Sequence, residues 1–311
     1  MNVALVSNGD CGRHDTGWRH PEHVGRLRAI PRALRDDPDL YHALTQVEGR
    51  HAAEAELGLA HDAAYIDRVR QLSAAGGGLL DADTVVSEGS WDAARAAAGC
   101  VLDAVDMAMG PDAWRAFCAV RPPGHHALRD RGMGFCLFGN VAIGARYARE
   151  VHGAGCVLIV DWDVHHGNGT QALVEQDPMI RFVSMHQWPW YPGTGAAGDR
   201  GPHRSVWNVP LPGGLAPASY AAALRAAVID ATTGFTPEVV IVSAGFDCLA
   251  GDPLGEFTLE VEHIEQLTEW LLERCAEWNG GRLIAALEGG YAPDRVGAAS
   301  VAMMRAMVGA G

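Results

Sequence analysis

The end of one apolar segment carries side chains that could bind a metal ion. Residues 157–170 read VLIVDWDVHHGNGT, a run typical of a buried strand that passes abruptly into carboxylate, imidazole and amide side chains. Successive side chains of an extended segment point to opposite faces, so Asp163 and His165 point the same way. Because a buried carboxylate is costly unless it is paired or metal-bound, these two residues predict half of a catalytic metal site.

Asp247 is the best candidate for a third ligand. It follows another apolar run, VVIVSAGF, and a catalytic zinc site needs three protein ligands and an open position. One histidine and two aspartates are an unusual but admissible zinc set, and the open position would let a water molecule be activated. Alone, Asp163 could cap a helix and His165 could be an ordinary loop histidine, but the three residues together favour a metal.

Two adjacent histidines, His125 and His126, follow Pro-Pro-Gly at the end of a further apolar run, and paired imidazoles there predict proton transfer. Each ring needs a partner on its far nitrogen to fix its tautomer. Asp161 is the natural partner for one ring and Asn168 for the other. Because an amide adds no charge, the histidine that Asn168 holds should be the less basic one. A solvent-facing histidine pair in a loop is the alternative.

Three aromatic residues could complete the site. Tyr291 follows Glu-Gly-Gly, and a glycine pair permits a sharp turn that would place the phenol over the metal. Its hydroxyl could then donate to a developing oxyanion, whereas an amphipathic surface tyrosine is the alternative. Phe135 and Tyr191 could form the walls of a narrow apolar slot. Spacing alone does not distinguish such walls from ordinary loop packing.

All these candidates lie near apolar runs, which are the elements that must position them. Near-continuous apolar strands indicate a parallel sheet covered on both faces, and in such sheets sites form outside the carboxyl ends of the strands. Helical segments between the runs imply right-handed crossovers. Strands are predicted at 3–7, 117–120, from 157 onward, 180–183, 239–242 and 283–287; helices at 22–34, 90–109 with Ser90 as N-cap, 140–151, 217–232, 259–277 and 296–308; and loops at 188–201 and 208–214.

Length and composition favour one large α/β domain over residues 1–311. The chain is 48% hydrophobic, and an α/β domain can exceed about 250 residues without splitting. No run of about 18 apolar residues is present, so we expect no membrane span. The first residues, MNVALVSNGD, lack the basic and apolar regions of a signal peptide and are typical of a first strand.

Charge and cysteine content narrow the partners and the compartment. The formal net charge of −14 argues against nucleic acid as a direct partner. Seven cysteines without a CxxC motif predict free thiols in a reducing, cytoplasmic setting. All 24 basic residues are arginine, which a GC-rich coding bias explains.

Five motifs, in this order along the chain, resemble those of the zinc-dependent histone deacetylase superfamily: RPPGHHA, GFCLFGN, DWDVHHGNGT, SAGFDCLAGDPL and LEGGY. HPEHVGRLRAI and DADTVVSEGSWDAARAAAG resemble its class II branch. The superfamily includes bacterial histone-deacetylase-like amidohydrolases and acetylpolyamine amidohydrolases. The resemblance covers nearly the whole chain and implies the arginase/deacetylase fold, a three-layer α/β/α sandwich around a mainly parallel sheet of about eight strands.

The resemblance implies a role for each catalytic candidate. Asp163, His165 and Asp247 would hold one catalytic Zn²⁺. His126 would be the general base, and Tyr291 would polarise the scissile carbonyl. The supporting residues would be the second histidine of the pair, His125, and the orienting partners of the two rings, Asp161 and Asn168.

The resemblance also implies a tunnel and a second ion. Phe135 and Tyr191 would line the acyl tunnel, where the Gly134 carbonyl would accept a substrate N–H. Arg26 matches an arginine of the family's internal cavity. The implied structural K⁺ site consists of the side chains of Asp161 and Ser184 and the backbone carbonyls of Asp163, His165 and Met185.

The implied activity is hydrolysis of N-acyl bonds, such as those of acetyl-lysine, by a metal-activated water. Acetylpolyamine amidohydrolase is the nearest alternative, and a non-catalytic binder of acyl groups is the alternative from another class. Arginase-type ureohydrolases share the fold, but their DxHxD pattern requires an aspartate at position 167, where Gly167 stands.

Leu254 bears on the choice of substrate. In polyamine-preferring members an acidic gatekeeper stands at a position that resembles this one, where a carboxylate would attract a second ammonium group. Leu254 instead offers apolar contact, so we expect acetyl-lysine-type substrates to be preferred over acetylpolyamines. Alternatively, Leu254 only packs within its loop, and an acidic residue elsewhere, such as Glu22, binds the second ammonium group of the polyamine. The expected partners are a small acylated amine or acyl-lysine, without nucleic acid or membrane, and a homo-oligomer is left open.

Overall fold

The computed structural model describes residues 1–310, which contain ten strands and ten α-helices. The strands are β1 (Val3–Ser7), β2 (Thr45–Glu48), β3 (Gly77–Leu79), β4 (Val85–Ser87), β5 (Arg115–Ala119), β6 (Val157–Asp161), β7 (Ile180–Gln187), β8 (Val206–Leu211), β9 (Val239–Ala244) and β10 (Leu283–Leu287). The helices are α1 (Gly25–Leu34), α2 (Pro38–Ala43), α3 (Glu54–Leu57), α4 (Ala63–Ala74), α5 (Ser90–Met109), α6 (Asn140–Glu150), α7 (Asn168–Val174), α8 (Pro217–Thr232), α9 (Val261–Asn279) and α10 (Pro293–Gly309).

Eight strands form one parallel sheet in the order β2-β1-β5-β10-β9-β6-β7-β8. β3 and β4 form a separate antiparallel pair. The central four strands, β5, β10, β9 and β6, are not consecutive along the chain, yet they are neighbours in the sheet. Their carboxyl ends therefore open onto the same edge, where parallel sheets place their sites.

Hydrophobic cores cover both faces of this sheet. Along β6, Leu158 and Val160 pack into one core with residues of α1, α8, α9 and α10, whereas Val157 and Ile159 pack into the other with residues of α4, α5, α6 and α7. Alternate side chains of a strand point to opposite faces, so a strand buried on both sides must be apolar throughout. The predicted three-layer α/β/α arrangement around a parallel, eight-stranded sheet is confirmed.

Two local predictions were wrong. Ser90 is the first residue of α5 and does not cap it, because Gly89 occupies the N-cap position and the Ser90 hydroxyl accepts the Ser87 N–H at 2.7 Å. The predicted loop at 208–214 begins as strand, since β8 continues to Leu211 beside β7. The strand β8 is only partly buried at that end, so its sequence lacks the continuous apolar run of the central strands.

The structure adds elements that the sequence pattern did not reveal. β2 is an edge strand with mostly exposed side chains, so it carries no apolar signature. Helices α2, α3 and α4 lie between α1 and α5, in a region for which no element was predicted. All seven cysteines are free thiols, and six of them are buried. Within residues 1–310, none of the helices combines the length and apolar character needed to cross a membrane.

Candidate metal centre and active site

The three predicted zinc ligands meet at one point. Asp163 and His165 follow β6, and Asp247 follows the adjacent strand β9. Asp163 Oδ1 lies 3.0 Å and Asp247 Oδ2 lies 3.1 Å from His165 Nδ1. One potential ligand atom of each residue lies within 4.8 Å of the other two. All three side chains are buried, so the structure brings together the ligand set that the sequence proposed.

The chemistry of these residues fits a divalent cation. Asp163 and Asp247 are fully buried carboxylates that share a single imidazole. Burial, with the charge of the nearby Asp163, raises the pKa of Asp247 to about 7, as expected for two carboxylates buried close together. A Cβ at Gly289 would clash with Oδ2 of both aspartates, so glycine keeps this side clear. Aspartate and histidine are ligands that Zn²⁺ accepts.

Backbone N–H groups orient the two carboxylates. The Gly289 N–H donates to Asp163 Oδ2 at 2.8 Å, and the Val164 N–H donates to Asp247 Oδ1 at 2.8 Å. Each aspartate thus keeps its other oxygen directed toward His165 Nδ1. Bonds of this kind fix the direction of metal-binding oxygens before any ion is bound.

The paired histidines have different partners. His125 Nδ1 donates to Asp161 Oδ2 at 3.0 Å, and His126 Nδ1 donates to Asn168 Oδ1 at 2.7 Å. Both rings are buried, with their centroids 4.0 Å apart. Asp161 also accepts the Asp163 N–H at 3.1 Å, which joins the histidine pair to the metal ligands. Each ring therefore presents Nε2 as its free nitrogen.

The two rings differ in protonation state because different charges surround them. Burial alone would lower the pKa of His125, but the carboxylates of Asp163 and Asp161 outweigh it and raise that pKa well above its ordinary value. Burial, followed by the positive charges of His125 and His165, holds the pKa of His126 well below its ordinary value. His126 is thus neutral, with Nε2 able to accept a proton.

Tyr291 lies beside the same group of residues. It follows β10, and its backbone N–H donates to Asp252 Oδ2 at 2.6 Å. The Arg26 guanidinium lies 5.2 Å from the centre of the phenol ring. Burial, with the charge of Asp247, raises the pKa of the phenol well above its ordinary value, so the hydroxyl stays protonated and can donate a hydrogen bond.

A pocket of about 290 Å³ opens onto these residues, at the place where the acyl tunnel is predicted. The Tyr191 ring lies 5.1 Å from the His126 ring and 6.0 Å from the His165 ring, and the Phe135 ring lies 5.8 Å from the Tyr291 ring. Phe135 has a φ of 67°, an unusual conformation for an aromatic residue, and its N–H donates to Thr84 Oγ1 at 3.1 Å. The lining residues are Asp83, His126, Gly134, Phe135, His165, Trp190, Tyr191, Pro253, Leu254 and Tyr291.

Trp190 and Asp83 are lining residues that sequence reasoning missed. Trp190 Nε1 donates to the Leu254 carbonyl at 2.9 Å, which ties the aromatic segment at the mouth to the loop that carries Leu254. The run Trp-Pro-Trp-Tyr-Pro at 188–192 was the available signal. The acid at the mouth is Asp83, whereas Glu22 is fully buried in ion pairs and does not line the tunnel.

Arg26, Asp161, Ser184 and Met185 are fully buried and do not line the tunnel. Arg26 is fully buried and donates to Glu22 Oε1 at 2.9 Å and to the Gly290 carbonyl at 2.5 Å. Asp161 of β6 is paired in register with Ser184 of β7, and Met185 is the next residue of that strand. The assignment of potassium to these residues stays a prediction.

Gly167 has a steric reason to be glycine. A Cβ at this position would clash with Asp161 Oδ2, the oxygen that accepts the His125 Nδ1–H. A third metal-binding aspartate, which the ureohydrolase pattern requires here, would displace that contact. The geometry therefore supports a single metal centre at this end of β6.

Comparisons with known proteins give consistent matches. A family profile described as the histone deacetylase domain matches residues 20–307. The uncharacterized protein slr0245 of Synechocystis is 42% identical over 93% of this chain and 94% of its own length. The histone deacetylase-like amidohydrolase of Pseudomonas aeruginosa is 37% identical over 93% of this chain and 76% of its own length.

Two further matches extend the range of relatives. Human polyamine deacetylase HDAC10 is 37% identical over 94% of this chain, which corresponds to 46% of HDAC10. The crystal structure of the HDA15 HD domain superposes with a TM-score of 0.93 at 34% identity and covers 99% of this chain and 88% of that one. The similarity thus spans the sheet, the candidate metal centre and the tunnel.

Proposed function

The chain belongs to the histone deacetylase family, and from that premise we propose that it is a zinc-dependent amidohydrolase that removes acyl groups from amines. The observation that carries the proposal is the convergence of Asp163, His165 and Asp247 at one end of an aromatic tunnel that His126 and Tyr291 also line. A narrow tunnel suits a linear acyl amide, such as the side chain of an acetylated lysine.

The chain's own residues would divide the work of amide hydrolysis. The chemistry that Zn²⁺ supplies in such a site is a water molecule whose pKa is lowered to about 7 and a polarised carbonyl. His126, held neutral with Nε2 free, takes the proton of the attacking water and passes it to the leaving amine. His125, held by Asp161, orients its neighbour, and the Tyr291 hydroxyl donates to the oxyanion.

The mouth of the tunnel favours a neutral substrate stem. Leu254, Pro253, Trp190 and Tyr191 give it apolar and aromatic walls. An acyl-lysine presents only methylene groups at this depth, which such walls can cover. We therefore assign acetyl-lysine-type amides as the preferred substrates.

Acetylpolyamines are the second candidate class. Asp83 places one carboxylate on the tunnel wall, where it could attract a distal ammonium group. The similarity to a relative named polyamine deacetylase also supports this alternative. It ranks second because the position that resembles the acidic gatekeeper holds Leu254.

The proposal is tested with purified protein of known metal content, assayed on an acetyl-lysine peptide and on acetylspermidine. We expect activity with one zinc ion per chain, loss of activity on complete chelation, and recovery when zinc is returned. Asp247→Asn should abolish recovery, whereas Asp112→Asn, at an exposed aspartate, should not. Activity that survives complete chelation, or that requires two ions per chain, would contradict the proposal.

We also propose that the chain binds one structural K⁺ ion and that it forms a single domain. K⁺ would be bound by Asp161, Ser184 and the backbone at Met185, which lie on the neighbouring strands β6 and β7. Residues 1–311 would form one catalytic domain.

A further inference from the structure

A second group of metal-binding side chains lies next to the candidate metal centre. His125, Cys136 and Glu288 each offer a potential ligand atom within 4.8 Å of the other two, and all three side chains are buried. The group shares no residue with Asp163, His165 and Asp247. It joins the ends of two adjacent strands, since His125 and Cys136 follow β5 and Glu288 follows β10.

Each of the three residues has a ligand atom to spare. One oxygen of Glu288, Oε2, accepts the N–H groups of Gly124 at 2.6 Å and of His125 at 3.1 Å. The other oxygen, Oε1, is buried without a hydrogen-bond partner. His125 commits Nδ1 to Asp161, and its Nε2 makes no hydrogen bond but lies 3.7 Å from Asp163 Oδ1. A fully buried carboxylate oxygen without a partner is costly, and a cation would satisfy it.

Cys136 makes only weak contacts of its own. Its thiol donates to the Gly134 carbonyl and accepts the His126 N–H, in both cases at 3.4 Å. Cys136 would therefore lose only two weak hydrogen bonds when it coordinates an ion. Both contacts are with the backbone of residues that line the tunnel, so the buried thiol lies next to the tunnel wall.

We infer that His125, Cys136 and Glu288 form a second, inhibitory site for a thiophilic divalent cation. One thiolate, one imidazole and one carboxylate are a ligand set that suits Zn²⁺, Co²⁺ or Cd²⁺, whereas Mg²⁺ and Ca²⁺ prefer oxygen ligands. Coordination replaces two protons, that of the Cys136 thiol and that on Nε2 of the charged His125 ring; both leave to solvent, and no redox step is involved.

The site would inhibit because of where His125 stands. An ion on Nε2 of His125 occupies the ring that lies 4.0 Å, centroid to centroid, from the base and so removes it from the histidine pair. This consequence rests on the proposed amide hydrolysis, whereas binding of the ion does not. Activity should therefore fall when metal is added beyond the first equivalent.

The first test measures binding without activity. Co²⁺ is titrated into the metal-free chain while the thiolate-to-metal charge-transfer absorption is recorded. Because the first site contains no cysteine, that absorption should appear only with the second equivalent. Cys136→Ser should abolish it, and Cys156→Ser, at a cysteine that is only partly buried, should keep it. Absorption that persists in Cys136→Ser would overturn the inference.

The second test measures inhibition of the zinc-loaded enzyme on an acetyl-lysine peptide. Excess Zn²⁺ or Cd²⁺ should inhibit the wild-type enzyme, whereas Mg²⁺ at the same concentration should not. The Cys136→Ser variant should be less sensitive to inhibition by excess Zn²⁺ or Cd²⁺. Glu288→Gln, a second variant, should weaken the binding of the second Co²⁺ by at least about 10–100-fold, the effect expected even for loss of a residue that only orients a ligand. Wild-type activity that is insensitive to excess Zn²⁺ would overturn the inference. A chain that binds the second Co²⁺ but hydrolyses no acyl amide would instead refute the proposed function alone.

Discussion

At the scale of single residues, burial and neighbouring charges set the chemical state of each proposed catalytic side chain. Asp161 holds His125 and favours its charged form, whereas Asn168 holds His126 through an uncharged amide. The two imidazoles therefore differ although they are adjacent in sequence and equally buried. Tyr291 stays a phenol because burial raises its pKa. The proposed division into base, supporting histidine and oxyanion donor follows from these local environments.

Tyr291→Phe tests the oxyanion donor. The variant should keep zinc and bind a competitive inhibitor as the wild type does, because the hydroxyl is not a metal ligand. Turnover should fall by ~10²–10³, which corresponds to about 2.7–4 kcal/mol of lost transition-state stabilisation. Steady-state kinetics with a parallel measurement of zinc content checks this. Near-normal turnover would remove Tyr291 from the mechanism.

Leu254→Glu tests whether the residue at position 254 determines the preference between charged and neutral substrates. A carboxylate at the tunnel mouth should attract the distal ammonium of an acetylpolyamine and disfavour a neutral stem. We expect the ratio of kcat/KM for acetylspermidine to that for an acetyl-lysine peptide to rise by about tenfold, or about 1.4 kcal/mol. Leu254→Met is the control of similar volume. A wild type that already prefers acetylspermidine by about tenfold would show that Leu254 does not set specificity.

At the scale of elements, a buried polar network fixes the loop that carries the tunnel wall. The segment 188–201 contains no helix or strand, yet it positions Tyr191. Gln171 of α7 accepts the His166 Nε2–H at 3.0 Å and an Asn208 N–H at 3.0 Å, and it donates to Asp199 in the loop at 2.9 Å. The segment that follows β6 and the loop that carries the tunnel wall are thus joined through one amide side chain.

Gln171→Leu should loosen that wall. The change leaves buried donors of His166 and Asn208 without acceptors, which costs about 1–3 kcal/mol. We expect a lower thermal unfolding midpoint and a raised KM, with a smaller effect on kcat, because the proposed metal ligands and the base are untouched. Gln176→Leu, at an exposed glutamine five residues further along the chain, is the matched control. An unchanged KM would show that the network does not position the wall.

At the scale of the whole molecule, the fold buries ionisable groups that make it sensitive to acid. Burial lowers the pKa of His61 from its ordinary 6.5 to about 4. The ring is held neutral, with Nδ1–H donating to the Leu128 carbonyl and Nε2 accepting the Gly139 N–H, both at 2.9 Å. Glu22, which forms ion pairs with Arg121 and Arg26, has a pKa lowered to about 2 even though burial opposes the shift.

The free energy of unfolding should therefore fall in two windows of pH. Below pH 6.5 the unfolded chain binds a proton at His61 that the folded chain does not, so this contribution is lost between about pH 6.5 and 4 and amounts to ~3 kcal/mol. The ionised Glu22 contributes stability above about pH 4.5, which is lost as the pH falls toward 2.

His61→Gln isolates the first window. A glutamine amide can donate and accept as the neutral ring does, but it does not titrate. Urea unfolding at pH 7, 6, 5 and 4 should show a shallower loss of stability in this variant than in the wild type, whereas His203→Gln, at an exposed histidine, should follow the wild type. Parallel curves for His61→Gln and the wild type would contradict the assignment.

The sequence by itself determined the central strands and the residues that follow them. Continuous apolar runs at β6, β9 and β10 reflect burial on both faces, a local requirement that is written in consecutive residues. Chemistry-bearing residues at the ends of such runs must lie at one edge of a parallel sheet, so Asp163, His165 and Tyr291 could be proposed from the chain alone.

Only the tertiary structure decided which of these ends are neighbours. The order β5-β10-β9-β6 brings together residues that lie far apart in sequence, and no local pattern encodes that pairing. The same holds for the assignment of Asp161 to His125, the Trp190 bond to Leu254, and the place of Asp83 in the tunnel. The physical reason is that such contacts depend on how distant segments pack, whereas the sequence pattern records only whether each segment is buried.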